Sequence, residues 1–419
     1  MDGLLILEKR DDSQEYDIQQ IPINSGVFCM IKDHFQDTIW IGTDGQGVYL
    51  YSNPLYSIKS VVLSNLYRKA VTPVRALHID DERTLWIGTK GNGIIKAYNY
   101  DAKKEIFDCK TEMLTISNSD IGSNAVYCFS KSKHNLLWIG NEEGLCYYSY
   151  KDKRIRRLPV IINGKHLKYI HDIYETKNSE LWIASVGMGI VKAQLTGSPD
   201  TRRLEDMRIY TINEGQIGSK LFFFTIYHED ENPPLFGNKG YGVFRYNEKT
   251  DVLEPVATHK YDNMTLNNIL AINKDSCGSY LLGTSYGLIK LSPDSSYHLF
   301  NTKDGFPNST IHEILKTSPY NFWLSTNMGM INFDTRSNVF RTYGVGDGLR
   351  VVEFCDGAAF RDPQTGVLYF GGINGFVTIT ADGQTEHPYM PPIYFDKLSI
   401  FGKQYSLGEY ITLENGEKN

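Results

Sequence analysis

Apolar positions in this chain come in short runs, most of them five or six residues long, separated by glycine and Asx turns. No i, i+3, i+4, i+7 pattern is sustained over helical length, so the pattern predicts many short strands. One stretch shows the grammar: Ile39 to Thr43 is β-branched and aromatic, Gly45 and Gly47 supply the positive φ of a tight turn, and Val48 to Tyr51 resumes the apolar run. The stretch returns as Leu85-Trp86-Ile87-Gly88-Thr89, Leu137-Trp138-Ile139-Gly140 and Leu181-Trp182-Ile183-Ala184. It weakens to Leu235-Phe236-Gly237 and Leu281-Leu282-Gly283-Thr284, then recovers as Phe322-Trp323-Leu324-Ser325-Thr326 and Leu368-Tyr369-Phe370-Gly371-Gly372. Measured at the Trp40 position, the copies stand 41 to 54 residues apart. That length fits a four-stranded propeller blade and is too long for a leucine-rich solenoid.

Each unit predicts four strands: an apolar first strand, the Trp strand, the strand after the glycine turn, and a more variable fourth. In the unit at Trp86 these are Val74 to Ile79, Leu85 to Thr89, Ile94 to Tyr98 and Glu105 to Cys109; comparable first strands open at Val126, Ile170, Phe222, Ile269 and Ile311. Consecutive antiparallel strands build meanders, and packing them radially buries both faces and hides most sheet edges. The repeated tryptophans therefore read as packing between blades, and the repeated glycines as turn formers. The expected fold is all-β, a seven-bladed β-propeller over residues 61–385, with an eight-bladed ring as the alternative. Residues 1–60 read as the end of a preceding propeller or an extra blade. Residues 386–419 open on a proline-stiffened exit and continue as the start of another β domain, with strands expected at Lys397 to Phe401 and Tyr410 to Leu413.

A closed ring of repeats absorbs 419 residues without further domains, and 28 tyrosines with 37 glycines suit strands and turns. The net charge of −6 is mild and spread along the chain, which gives no footprint for a nucleic-acid backbone or an anionic membrane. Met1 is followed by no basic leader, and no apolar run approaches the ~18 to 20 residues of a membrane span. The six cysteines stand singly, without metal-ligand spacing, so neither metal nor cofactor is expected. Cys29 and Cys128 hold the same place in two repeats and read as core-filling thiols.

Eleven residues before four of the tryptophans, on the innermost strands, stand Arg75, Tyr127, His171 and His312. In a ring these side chains fall near the mouth of the central channel. A converging Arg, Tyr and His set suits a hydroxylated or anionic sugar, and water-filled channel polars are the structural alternative. Tyr169, Lys220, Asn267, Asn308 and Arg350 lie in loops expected on the same face and are secondary candidates. No nucleophile with an oriented base and no metal set emerges, so no catalytic residue is assigned.

With these residues laid out, the chain resembles the two-component regulator propeller (Reg_prop) family, the periplasmic sensor region of hybrid histidine kinases. The resemblance rests on the Leu-Trp-Ile-Gly-Thr repeat and on an ordered closing unit: Gly348-Leu349, Glu353-Phe354, Ala358-Ala359-Phe360 and Leu368 to Phe376. Pro391-Pro392-Ile393-Tyr394-Phe395 resembles the opening of the immunoglobulin-like Y_Y_Y domain that follows in that family. The resemblance implies two propellers, a Y_Y_Y sandwich, one membrane span and cytoplasmic kinase modules, of which this chain would be a fragment. It further implies a periplasmic location, an oligosaccharide as ligand, and as partners a second copy of the parent sensor and the missing N-terminal propeller. A propeller lyase or glycosidase with a channel active site, and a protein-interaction scaffold, are the competing readings.

Overall fold

The computed structural model of the protein describes residues 4–9, 16–21, 25–33, 38–45, 47–51, 56–67, 72–198, 201–212, 221–229, 232–256, 267–381, 398–400 and 403–405. The chain divides into two compact units, Met1–Leu55 with Asp382–Asn419, and Tyr56–Ala381.

The larger unit contains seven four-stranded antiparallel sheets. Blade 1 is formed by Val74–Ile79, Leu85–Thr89, Ile94–Ala97 and Thr111–Leu114. Blades 2 to 6 open on Val126–Lys131, Ile170–Glu175, Phe223–Tyr227, Ile269–Lys274 and Ile311–Lys316, and blade 7 on Phe354–Arg361. Each first strand adjoins that of the next blade, and blade 7 adjoins blade 1, so the sheets close into a β-propeller. Blade 7 completes itself with residues from the start of the unit: Tyr56–Val62 pairs antiparallel with Gly375–Ala381, from Gly375 opposite Val62 to Ala381 opposite Tyr56. Backbone hydrogen bonds thereby join the two ends of the ring, and Tyr56–Val62 covers the edge that Gly375–Ala381 would otherwise expose. This ladder is why the unit begins at Tyr56 and ends at Ala381, where 61 and 385 were expected.

The repeated glycines do two different jobs. Gly93 follows the turn with φ +72°, and a Cβ there would stand 2.1 Å from the Leu114 carbonyl of the fourth strand. Gly88, inside the Trp strand, is not a turn former. A Cβ at Gly88 would meet Val126 Cγ1 of the next blade at 2.8 Å, and one at Gly371 would meet the Val74 carbonyl at 2.7 Å across the closing junction. The glycine of the Trp word thus lets neighbouring blades approach, which corrects the single role expected for it.

Trp86, Trp138, Trp182 and Trp323 are fully buried between blades. The indole nitrogen of Trp86 donates to Asp80 at 2.8 Å, and that of Trp138 donates to Glu175 of the next blade at 2.7 Å. Lys96 wedges its ammonium 4.5 Å from the Trp86 ring and 4.8 Å from Tyr148 of blade 2; Lys192 repeats this with Trp182 and Tyr246 at 5.1 and 5.0 Å. Trp40 differs. It belongs to a three-stranded sheet of the other unit, Val27–Asp33, Thr38–Thr43 and Val48–Tyr51, and is 46% exposed.

Two local expectations need correction. Glu105 to Cys109 is not the fourth strand of blade 1; Ile106–Asp108 is a 3-10 turn that buries Ile106, and the strand follows at Thr111–Leu114. Cys128 is buried as expected, but Cys29 is exposed. Of residues 386–419, only Leu398–Ile400 and Lys403–Tyr405 are described, as an antiparallel pair. The Y_Y_Y assignment and the Tyr410 to Leu413 strand otherwise lie outside the described residues.

Candidate functional site

The first strands of blades 1 to 6 share one irregularity: their pairing with the Trp strand shifts register immediately after the opening residue, between Val74 and Ala76, Val126 and Cys128, Ile170 and Asp172, Phe223 and Thr225, Ile269 and Ala271, and Ile311 and Glu313. A β-bulge leaves one residue outside the ladder and re-aims its side chain. The residues set free are Arg75, Tyr127, His171, Phe224, Leu270 and His312. Blade 7 carries a longer shift, from Phe354 to Ala359, which sets free Cys355 and Asp356.

These side chains meet around the channel mouth as two arcs. In the first, the Arg75 guanidinium lies 5.6 Å from the Tyr127 ring centre, Tyr127 stacks on His171 at 4.9 Å with a 5° interplanar angle, and His171 meets Phe224 edge-on at 4.7 Å. Burial, reinforced by the positive charges of Arg75 and Lys90, pushes His171 down to about 3, so it is a neutral ring at physiological pH. In the second arc, His312 faces the Asp356 carboxylate through Nδ1 and lies 2.6 Å from Asn327 Oδ1 through Nε2. Burial opposes the charge of Asp356, yet the hydrogen bond and charge of His312, with the Arg75 guanidinium, outweigh it and hold that carboxyl below its usual range. Burial raises the Cys355 thiol to about 11 against the pull of Arg75.

Beneath the mouth lies a cavity of about 360 Å³ whose lining includes His171, Phe224, Asp172, Thr225, Asn273 and Glu313. Because each first strand is the free inner edge of its sheet, polar side chains cap the backbone of the adjacent blade. Asp172 accepts the N–H of Ile173 at 2.8 Å and of Ile226 at 2.7 Å, and Asn273 Nδ2 donates to the Ile314 carbonyl at 3.0 Å. Among the described residues, Glu313 accepts only the N–H of Ile314, at 3.2 Å. Burial pushes these two carboxyls up to about 7 and about 8, with backbone N–H groups opposing. Among the described residues, no His, Cys, Asp and Glu cluster could hold a metal ion.

The structure brings Arg75, Tyr127, His171 and His312 together, leaves Tyr169 within electrostatic reach of Tyr127, and places Asn267, Asn308 and Arg350 elsewhere. Tyr169 is exposed in the loop entering blade 3, with φ +51°. Asn267 lines a separate small cavity with Tyr241 and Ile269. Asn308 closes its own turn, accepting the Thr310 N–H at 2.8 Å. Arg350 lines a cleft of about 240 Å³ with Lys59 and Tyr100, away from the channel lining. Lys220 lies outside the described residues. Sequence reasoning missed Phe224, Asp356, Asn327, Asp172 and Glu313. A usable signal existed: Ile170-His171-Asp172-Ile173 and Ile311-His312-Glu313-Ile314 repeat one pattern.

Fold and site define a β-propeller with an aromatic and charged channel mouth. No family model matches the chain. It is 21% identical over 361 residues to Histidine kinase P4 of Formosa agariphila, an alignment covering 82% of this chain and 25% of that protein. It is 25% identical to the extracellular domain of a hybrid two-component system of B. thetaiotaomicron, with a TM-score of 0.67 over 96% of this chain and 52% of that one. Virginiamycin B lyase of Staphylococcus aureus, 15% identical with a TM-score of 0.55 over 78% of this chain and 99% of that one, shares the fold. The chain is thus similar to part of the extracellular sensor region of hybrid two-component systems, spanning about half of the solved relative and a quarter of the curated one. No helix among the described residues is long and apolar enough to cross a membrane.

Proposed function

We propose that this chain is a ligand-sensing part of the periplasmic region of a hybrid two-component sensor histidine kinase, and that its channel mouth receives an oligosaccharide. The observation that carries this reading is the bulge-borne arc of Arg75, Tyr127, His171 and Phe224, a stacked aromatic wall beside polar groups. Such walls suit the apolar face and hydroxyl edge of a sugar ring. The geometry favours binding over turnover. Both ring nitrogens of His312 are engaged, and His171, stacked on Tyr127 and pushed down to about 3 by burial and a guanidinium, is a weak base. Signalling then requires that the ligand bind one arrangement of the parent dimer more tightly than the other, with the preceding propeller and a second copy of the sensor as partners.

Calorimetry and thermal-shift titration of the chain against acidic and neutral oligosaccharides, with sugar release followed in the same samples, test the proposal. Saturable stabilisation without product, weakened in Tyr127→Ala, is expected. Turnover that disappears in His312→Ala with the fold intact would reassign the channel to an enzyme.

A further inference from the structure

We propose that the ligand of the channel mouth carries an anionic group, a carboxylate or a sulfate ester, held by the guanidinium of Arg75 while the adjoining ring lies against Tyr127. The inference rests on the oligosaccharide reading and adds the charge of the ligand. Its first support is the state of Arg75. The Nε of this side chain is buried and has no hydrogen-bond partner, and among the described residues no carboxylate lies within ion-pairing distance. Arg83 pairs with Asp362 and Arg208 with Asp251, whereas Arg202 shares with Arg75 a buried Nε without a partner but bonds the Gly197 carbonyl through Nη1. Asp356 exerts its charge nearby but is bound by His312, and the Cys355 thiol is a further polar neighbour of Arg75. The side chain is half-buried at the mouth while its Nε is shielded and unsatisfied, so an acceptor arriving from solvent is placed to complete it.

The second support is the field around it. Lys239 reaches over the Phe224 ring at 5.7 Å, and Lys90 acts on His171 with the same sign as Arg75. Arg75, Lys90 and Lys239 thus border the aromatic arc, with the acidic Glu142 acting on Tyr127 against them, and a planar guanidinium fork matches two oxygens of a carboxylate or sulfate. Deeper in, the cavity lining includes no Lys or Arg, and Asp172 and Glu313, raised by burial, supply no positive charge for a second anion. A charged group therefore stops at the mouth, and hydroxyl groups occupy the cavity beneath.

Two experiments on the full chain separate this inference from the sensor reading. In the first, binding of uronic-acid-terminated oligosaccharides is compared calorimetrically with that of their carboxyl-reduced counterparts, and sulfated with desulfated pairs. The charged member is expected to bind about tenfold or more tightly. The advantage should weaken as salt rises, vanish in Arg75→Gln and survive in part in Arg75→Lys. Equal binding of charged and neutral members overturns the anionic ligand and leaves the oligosaccharide reading standing. In the second, phenylglyoxal labelling of Arg75 is read by peptide mass spectrometry with and without inorganic sulfate. Suppressed labelling supports an anion site whichever sugars bind; labelling indifferent to sulfate overturns it. Suppression by sulfate with no oligosaccharide bound would keep the anion site and sink the oligosaccharide.

Discussion

Glu313→Gln is expected to stabilise the protein at pH 8 and to leave it unchanged at pH 4. Glu313 rises from 4.5 to about 8 because the channel wall withdraws it from water and a single backbone N–H, that of Ile314, supports its charge. The folded state therefore holds the proton more tightly than the unfolded chain. Its contribution is fully present below the unfolded value and is lost as pH climbs through the folded one, the reverse of a salt-bridged carboxylate. At about 1.4 kcal/mol per pH unit the shift sets a ceiling of roughly 4 to 5 kcal/mol, and because the carboxyl still borders the cavity of about 360 Å³, about half of that, ~2 kcal/mol, is the reasonable expectation. Asp172→Asn follows the same argument over a window ending near pH 7. In a unit of this size ~2 kcal/mol corresponds to about 3 °C in Tm. Absolute melting curves would mislead, because His171 and His78, lowered by burial to about 3 and about 4, make stability rise with pH below 6.5. The readout is therefore the difference between Glu313→Gln and the unmodified chain, followed by circular dichroism from pH 4 to 9. A difference independent of pH would refute the reasoning.

Arg83→Gln strips the partner from Asp362, which is 1% exposed in its side chain and retains only Thr365 and Gln364; a loss of about 2 kcal/mol in urea unfolding is expected, shrinking as acid protonates the aspartate, whose carboxyl sits below its usual range. Gly371→Ala should cost about 1 to 3 kcal/mol by forcing blades 7 and 1 apart, while Gly346→Ala, with nothing within 4 Å of the new carbon, should be near neutral in the same assay. Lys96→Ala should lose about 1 to 2 kcal/mol, and Lys96→Met less, because the stem packs between rings as well as the charge attracting them. A chain beginning at Leu63 should lose cooperative melting and resist proteases poorly, whereas one spanning Tyr56–Ala381 should keep both; equal behaviour would mean that the Tyr56–Val62 strand is dispensable.

What was legible in the sequence follows from what a repeat records. Register within a blade is set by backbone geometry that recurs, so aligning the Trp words also aligned the bulges, and Arg75, Tyr127, His171 and His312 emerged as one set without knowledge of the bulge itself. The same reasoning failed where the recurrence slips. In blade 4 the first strand was expected to open at Phe222 and opens at Phe223, which hid Phe224; in blade 7 the shift spans several residues, which hid Asp356. Loops carry no recurring geometry, and Asn308 and Arg350 were placed by proximity in sequence when their hydrogen bonds and packing direct them elsewhere. Glu105 to Cys109 shows the limit of apolar content as a strand signal, since Ile106 is buried from a 3-10 turn as readily as from a strand. The closing strand was invisible for a different reason: Tyr56–Val62 pairs with residues more than three hundred positions away, and no local pattern specifies a partner. The candidate site therefore sits where the repeat departs from uniformity. Blades share a backbone that offers one freed residue each, and their side chains differ there, as Arg75, Tyr127, His171, Phe224, Leu270 and His312 do. A scaffold built this way can change its ligand by substituting bulge residues without disturbing the Trp and glycine positions that hold the ring.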